Sequence, residues 1–198
     1  MMKAGRFFRQ ARYAAVAGLL LVSGASQALA QSDHDHAAGG QQQTPEQKRR
    51  ASALVQQVRD VTAGFQTPDT LPPDYQLVLG CVSGGDFGAM GLHYLNGALL
   101  GDGEIDVNKP EIVLYEPLPN GTQRITGADY VVIAADWDAK HPGNPPQLEG
   151  QLFHFFDAPN RFGLPPFYAL HVWAWKENPV GTFSNWNPNV SCDAFNTR

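Results

Sequence analysis

The chain has only two cysteines, Cys81 and Cys192, and whether they can be joined turns on what its first thirty residues do. Those residues begin with Lys3, Arg6, Arg9 and Arg12, continue as an apolar run from Ala14 to Val22, and end at Ala28-Leu29-Ala30. A basic start, a short apolar middle and a small-x-small end spell a secretory signal peptide over 1–30, cleaved after Ala30. The apolar run is about half of the ~20 residues a bilayer span needs, so it reads as a leader and not as an anchor. Nothing further along the sequence is apolar enough to span a membrane. The expected location is therefore the periplasm or the extracellular space, where an even pair of cysteines is normally bridged. A Cys81–Cys192 disulfide closes a loop of about 100 residues and stabilises the fold by up to ~4–5 kcal/mol on the chain-entropy account. A thiolate metal site or a reactive thiol would call for a Cys-x-x-Cys spacing, which is absent.

Cleavage also changes the charge. The leader holds four of the 14 basic residues and none of the 19 acidic ones, so 168 residues remain with 10 basic and 19 acidic side chains, a net charge of −9. Nucleic acid and anionic membrane surfaces need a basic footprint and are poor partners for it; a small molecule or a metal ion is compatible with this balance. The sequence does not specify an oligomeric state.

Residues 31–43 carry Asp33-His34-Asp35-His36, small residues and glutamines, with no large apolar side chain. Such a segment cannot bury enough surface to order itself, and it reads as a solvated His/Gln-containing tether with at most a loose hold on a divalent ion. From Thr44 the pattern changes. Thr44-Pro45-Glu46-Gln47 spells a helix start, with a threonine cap, proline in the first position and glutamate in the first turn. Leu54, Val58 and Val61, flanked by Val55 and Phe65, then recur at helical spacing, which predicts one amphipathic helix over Pro45 to Ala63.

After Pro68 to Pro73 the pattern is mostly β. Short runs at 76–79, 112–116, 123–125, 129–134, 151–156 and 168–175 alternate with segments rich in proline, glycine and asparagine, and Asn120-Gly121 marks a hairpin. There is no internal repeat, and residues 44–198 suit one globular domain. The predicted class is α+β, with the N-terminal helix packed on a mainly antiparallel, curled sheet or partial β-barrel.

Three of the four histidines beyond the tether sit in apolar or aromatic surroundings: His93 in Met90-Gly91-Leu92-His93-Tyr94, His154 in Leu152-Phe153-His154-Phe155-Phe156, and His171 in Leu170-His171-Val172-Trp173. Strand alternation adds Glu116 beside Leu114 and Ile112, and Asp129 beside Val131 and Ile133. If these faces converge, His93 and His171 with Asp129 or Glu116 make a two-histidine, one-carboxylate set suited to zinc, iron or copper, and His154 is a fourth candidate ligand. The alternative is structural: each ring is bonded to a carbonyl and Asp129 caps a turn. A serine nucleophile lacks its Gly-x-Ser-x-Gly context, and Gly84-Gly85-Asp86-Phe87-Gly88 lacks the lysine and helix of a phosphate loop.

A second candidate surface lies near the end. Trp173, Trp175 and Trp186 are interleaved with Asn187 and other asparagines, the combination that stacks on and hydrogen-bonds to a sugar or small molecule. The alternation rule places His171, Trp173 and Trp175 on one face of a last strand that reaches Trp175.

Met90-Gly91-Leu92-His93-Tyr94-Leu95-Asn96, Leu114-Tyr115-Glu116-Pro117, Asp129-Tyr130 and the stretch from His171-Val172-Trp173-Ala174-Trp175-Lys176 through Asn178-Pro179 and Trp186-Asn187-Pro188 to Cys192 resemble a family of secreted bacterial proteins that has no assigned activity. The likeness spans about Cys81 to Cys192. It implies an exported single domain with the two cysteines at its ends, and transfers no catalytic residue. Members often carry glutamate where this chain has Asp129.

Overall fold

A computed structural model describes residues 43–196. The expected leader, 1–30, and all but the last residue of the 31–43 tether lie outside the described residues. Helix α1 spans Pro45–Thr62. The Thr44 hydroxyl accepts from the Gln47 N–H at 3.2 Å, while the Gln47 side chain accepts from the Thr44 N–H at 2.8 Å. This reciprocal box satisfies two donors that a helix start otherwise leaves bare. Leu54, Val58 and Thr62, four residues apart, form its buried face, and Val61 is only half-buried.

The strands are β1 (Tyr75–Ser83), β2 (Ala89–Asn96), β3 (Ile112–Pro117), β4 (Gln123–Ile133), β5 (Gln147–Leu148), β6 (Gln151–Leu152), β7 (His154–Phe156) and β8 (Phe167–Val172). Six of them form one antiparallel sheet in the order β1-β2-β3-β4-β8-β7, and β5 pairs with β6 separately. Short helices α2 (Gly97–Leu100) and α3 (Ala134–Lys140) connect strands, and α4 (Asp193–Asn196) follows them. The architecture is α+β with a mainly antiparallel sheet. That sheet is open, with β1 and β7 as its edges, and does not close into a barrel.

The Asn120-Gly121 hairpin joins β3 to β4, closed by the Leu118 N–H on the Thr122 carbonyl at 2.9 Å. Two of the expected strands, 123–125 and 129–134, are one continuous β4, because an extra residue is absorbed where Leu114 pairs with Gly127 but Tyr115 with Ile125. Such a bulge bends a strand without ending it. Residues 89–96, not expected as a strand, form β2. Gly91 conceals them: its φ is 91° and a Cβ there would lie 2.4 Å from the Tyr115 carbonyl oxygen, so only glycine fits and alternation is interrupted.

Each face of the sheet is buried. Leu54 and Val58 of α1 pack on Ala128, Tyr130, Leu170 and Val172 on one side. On the other, Ile112, Leu114, Val131, Phe167 and Ala169 meet Phe156, Phe162 and Leu164. Cys81 and Cys192 form the expected disulfide, with Cα atoms 5.6 Å apart and a sequence separation of 111. Among the described residues no helix is long and apolar enough to cross a membrane.

The disulfide closes a long loop and thereby restricts the unfolded chain. Replacing both cysteines by serine is expected to lower unfolding free energy by about 2–5 kcal/mol. Urea denaturation of the variant and of the reduced parent, each set beside the oxidised parent protein, measures this; equal midpoints with and without the bridge would contradict it.

Candidate metal centre

Register brings three of the candidate ligands together. Asp129 of β4 pairs directly with His171 of β8 on one side and with Ile112 of β3 on the other. His93 of β2 pairs with Leu114, two residues from Ile112 on the same face of β3. Directly paired residues in an antiparallel sheet project from the same face. One face therefore carries His93, Asp129 and His171, and each is only 3% exposed. Their ligand atoms lie within 4.8 Å of one another. A formed tetrahedral site with bonds near ~2.1 Å separates its ligands by ~3.4 Å, so modest side-chain shifts suffice to close on a cation.

The hydrogen bonding leaves lone pairs free. His93 Nδ1 lies 3.1 Å from the Gly91 carbonyl oxygen, which can only accept. Nδ1 therefore carries the proton and Nε2 presents a bare lone pair, the arrangement in which a second partner orients a ligating imidazole. His171 Nδ1 and Asp129 Oδ2 are 3.2 Å apart. That contact is not aligned as a hydrogen bond, and both ring nitrogens of His171 and Oδ1 of Asp129 are buried without a hydrogen-bond partner among the described residues. An orphaned buried polar group costs about 1–3 kcal/mol, so three together call for a missing partner.

Burial also sets the protonation states. Loss of water holds the His93 imidazole down to about 4, only partly opposed by the Gly91 carbonyl. His171 lies well below the usual histidine range, through burial first and then the neighbouring His93 and His154. Asp129 is held well above the carboxylate range by burial, with Glu111 adding repulsion. Burial thus favours the uncharged form of all three groups: both imidazoles stand ready as ligands, and a positive charge arriving between them favours the Asp129 carboxylate.

An apolar cleft of about 40 Å³ lies over the three side chains, walled by Met90, Val131, Phe156, Phe162 and Phe167 among others. Gly91 explains why Met90 reaches it: the break in alternation turns Met90 toward the same side as His93. The cleft has room for an ion and a few waters.

The other candidate ligands lie apart from this cluster. Glu116 is buried, but it accepts from Arg124 and Lys176, the latter at 2.8 Å. Two cations already compensate it, which removes it from the ligand set. His154 pairs with Ala169 and so shares the face of His171, yet it is exposed on the edge strand, with Nδ1 3.1 Å from Asn185 Oδ1. His141, the remaining histidine beyond the tether, stacks on Trp137 with ring centroids 4.0 Å apart.

The tryptophan and asparagine set does not form one surface. Trp173 is buried beside Ala89, Val190 and Cys192 and donates to the Ser184 carbonyl at 2.6 Å. β8 stops at Val172, where the Ala174 N–H turns back to the Val172 carbonyl. Trp175 is thereby directed to α1, donating to Thr62 Oγ1 at 2.9 Å, and does not stand beside His171. Asn187 is completely buried and ties Glu177 to Ala89 through its side chain and backbone. Trp186 is half-buried under the Arg161 guanidinium, 5.4 Å above its ring.

One buried carboxylate escaped the sequence reading. Glu111, 2% exposed, accepts the Val131 N–H at 2.9 Å through Oε2, supplying an acceptor next to the Ile112–Asp129 pair. Its only signal was a charge directly before the apolar run Ile112 to Tyr115. Comparison of the chain with protein-family models, with curated proteins and with solved structures finds no match.

Burial pushes the Glu111 carboxyl up from 4.5 to about 8, against the lowering effect of the Val131 N–H. An acid whose folded pKa is raised contributes stability that is complete below pH ~4.5 and is lost as pH climbs through ~8. Glu111→Gln keeps an acceptor for Val131 and removes the titration. The variant should therefore gain on the parent protein by roughly 2–5 kcal/mol between pH 5 and 9. Paired chemical unfolding across that range measures the difference, and a gap constant with pH would show Glu111 to be ionised in the folded state throughout.

Proposed function

We propose that this is an exported metal-binding protein that holds one divalent cation through His93, Asp129 and His171. The observation that carries the reading is three buried ligand atoms within 4.8 Å of one another, with hydrogen-bonding capacity that the protein leaves unused. Two imidazoles and a carboxylate suit zinc, iron(II) or copper(II) better than magnesium or calcium, which prefer oxygen donors throughout. Three protein ligands leave at least one coordination position for water or an added ligand, whereas structural zinc sites use four. Export is supported by the leader pattern and by the disulfide, which belongs in an oxidising compartment.

Elemental analysis of tag-free protein expressed with its leader tests the site. About one equivalent of metal is expected in the parent and in His154→Ala, falling below ~0.2 equivalents in His93→Ala and in His171→Ala. Zinc added to the stripped parent should raise its melting temperature, as any ligand that binds only the folded state does. Folded parent protein that takes up no metal, or histidine variants that retain it, would refute the assignment.

A further inference from the structure

The cleft over the three ligands adjoins a second cavity of about 200 Å³. Val78, Leu95 and Leu100 line this one alone, while Leu79, Phe162 and Leu164 belong to the walls of both. Among the described residues His93 is the only polar one in the lining of the second cavity, and it belongs to the first as well. We infer that the joined space is a binding site for a small monocarboxylate with an apolar body: the carboxylate on the proposed cation, the hydrocarbon end among Val78, Leu95 and Leu100. This inference rests on the metal reading above and names the ligand class that the site would take.

Size and polarity select that ligand. The space is a partly open cleft whose lining is almost wholly apolar and which meets the polar cluster at His93. Apolar cavities of ~150 Å³ stay dry and take up benzene, so about 200 Å³ suits a body of benzene size or slightly more. Among the described residues no lysine or arginine lines either cavity, so an acidic head group meets no side-chain cation there. A divalent ion held by one carboxylate and two neutral imidazoles keeps one net positive charge and an open position. A monoanionic oxygen head satisfies both, and a polar body would find no partner deeper in.

The rim is built for entry. β1 carries two unpaired residues, Leu79 and Gly80, between the Val78–His93 and Cys81–Leu92 pairs. Leu79 has a φ of 63° and remains 53% exposed while lining both cavities. A left-handed leucine is a strained conformation of the kind that gathers at ligand sites. Opposite it, Phe162 and Leu164 are set by Asn160, whose Oδ1 accepts both of their N–H groups at 3.2 and 3.3 Å. The shared wall of the two cavities thus includes a bulged edge strand and a pinned loop.

The test uses full-length protein loaded with cobalt(II), its metal content established first. Benzoate and cyclohexanecarboxylate should perturb the cobalt absorption and bind about 10- to 100-fold more tightly than acetate, the gain expected from burying a six-carbon body. Toluene, which lacks the head group, should leave the spectrum unchanged. Leu95→Phe and Leu100→Phe fill the cavity and should bring benzoate toward acetate with metal content intact; Leu164→Trp replaces either variant if thermal unfolding shows it misfolded. Cobalt-loaded protein that binds benzoate no more tightly than acetate, or filled variants that bind it unchanged, would overturn the ligand assignment and leave the metal site standing. Failure to load cobalt would remove the metal site and this inference with it.

Discussion

Pairing of β4 with β8 sets Asp129 against His171, and both sides of the sheet around that pair are kept dry. Helix α1 seals one face through Leu54 and Val58, and Phe156, Phe162 and Leu164 cover the other. Without that cover the three side chains would be ordinary hydrated groups on a sheet surface. With it, water is withdrawn from a carboxyl and two imidazoles at once, their charged forms are suppressed, and their lone pairs turn toward a common space. The same sheet treats Glu116 differently. It too is buried, but Arg124 and Lys176 accompany it, so its charge is matched locally. Glu116 and Asp129 thus have opposite circumstances: the first is matched by two cations, and the second has none beside it among the described residues.

Local patterns in the sequence were legible where local physics decides the outcome. The Thr44 cap, the Asn120-Gly121 hairpin and the α1 stripe each depend on residues a few positions apart. The disulfide was legible because only one pairing of two cysteines exists. Histidines embedded in apolar strands pointed to His93 and His171, since a polar ring among leucines and valines must be satisfied somehow. The choice between Asp129 and Glu116 was not legible, because alternation puts both on otherwise apolar faces. It is decided by where Arg124 and Lys176 reach, and Lys176 lies 60 residues away in sequence.

The failures share a cause, the assumption that a strand keeps its period. β8 was expected to reach Trp175, but the chain turns back at Ala174 and then gives the Trp175 and Lys176 N–H groups to the Thr126 carbonyl. That turn separates Trp173 from Trp175 and dissolves the aromatic surface that alternation had implied. Gly91 hid β2 by the same kind of break, and in doing so it supplied the carbonyl that orients His93. Irregularities of this kind are set by close approach to a distant strand, such as that of Gly91 to Tyr115, and leave no periodic trace.

Position in the sheet gives the ligands and the cavity rim different mechanical characters. His93, Asp129 and His171 stand on interior strands; His93 and Asp129 are paired on both sides and His171 is paired with Asp129, so their backbones are fixed by the ladder. Leu79 stands on an edge strand, inside a bulge, with no ladder partner. An edge bulge is free to slip by a residue, and a slip reverses which side chains face the cavity. Here Cys81 follows the bulge directly and is bonded to Cys192, so β1 is pinned immediately beyond its irregular part. Val78 is held just before it, opposite His93. The disulfide therefore does more than shorten the unfolded chain. It confines the irregularity to Leu79 and Gly80, which lets one strained leucine border the cavity without loosening the strand register on which the cluster depends.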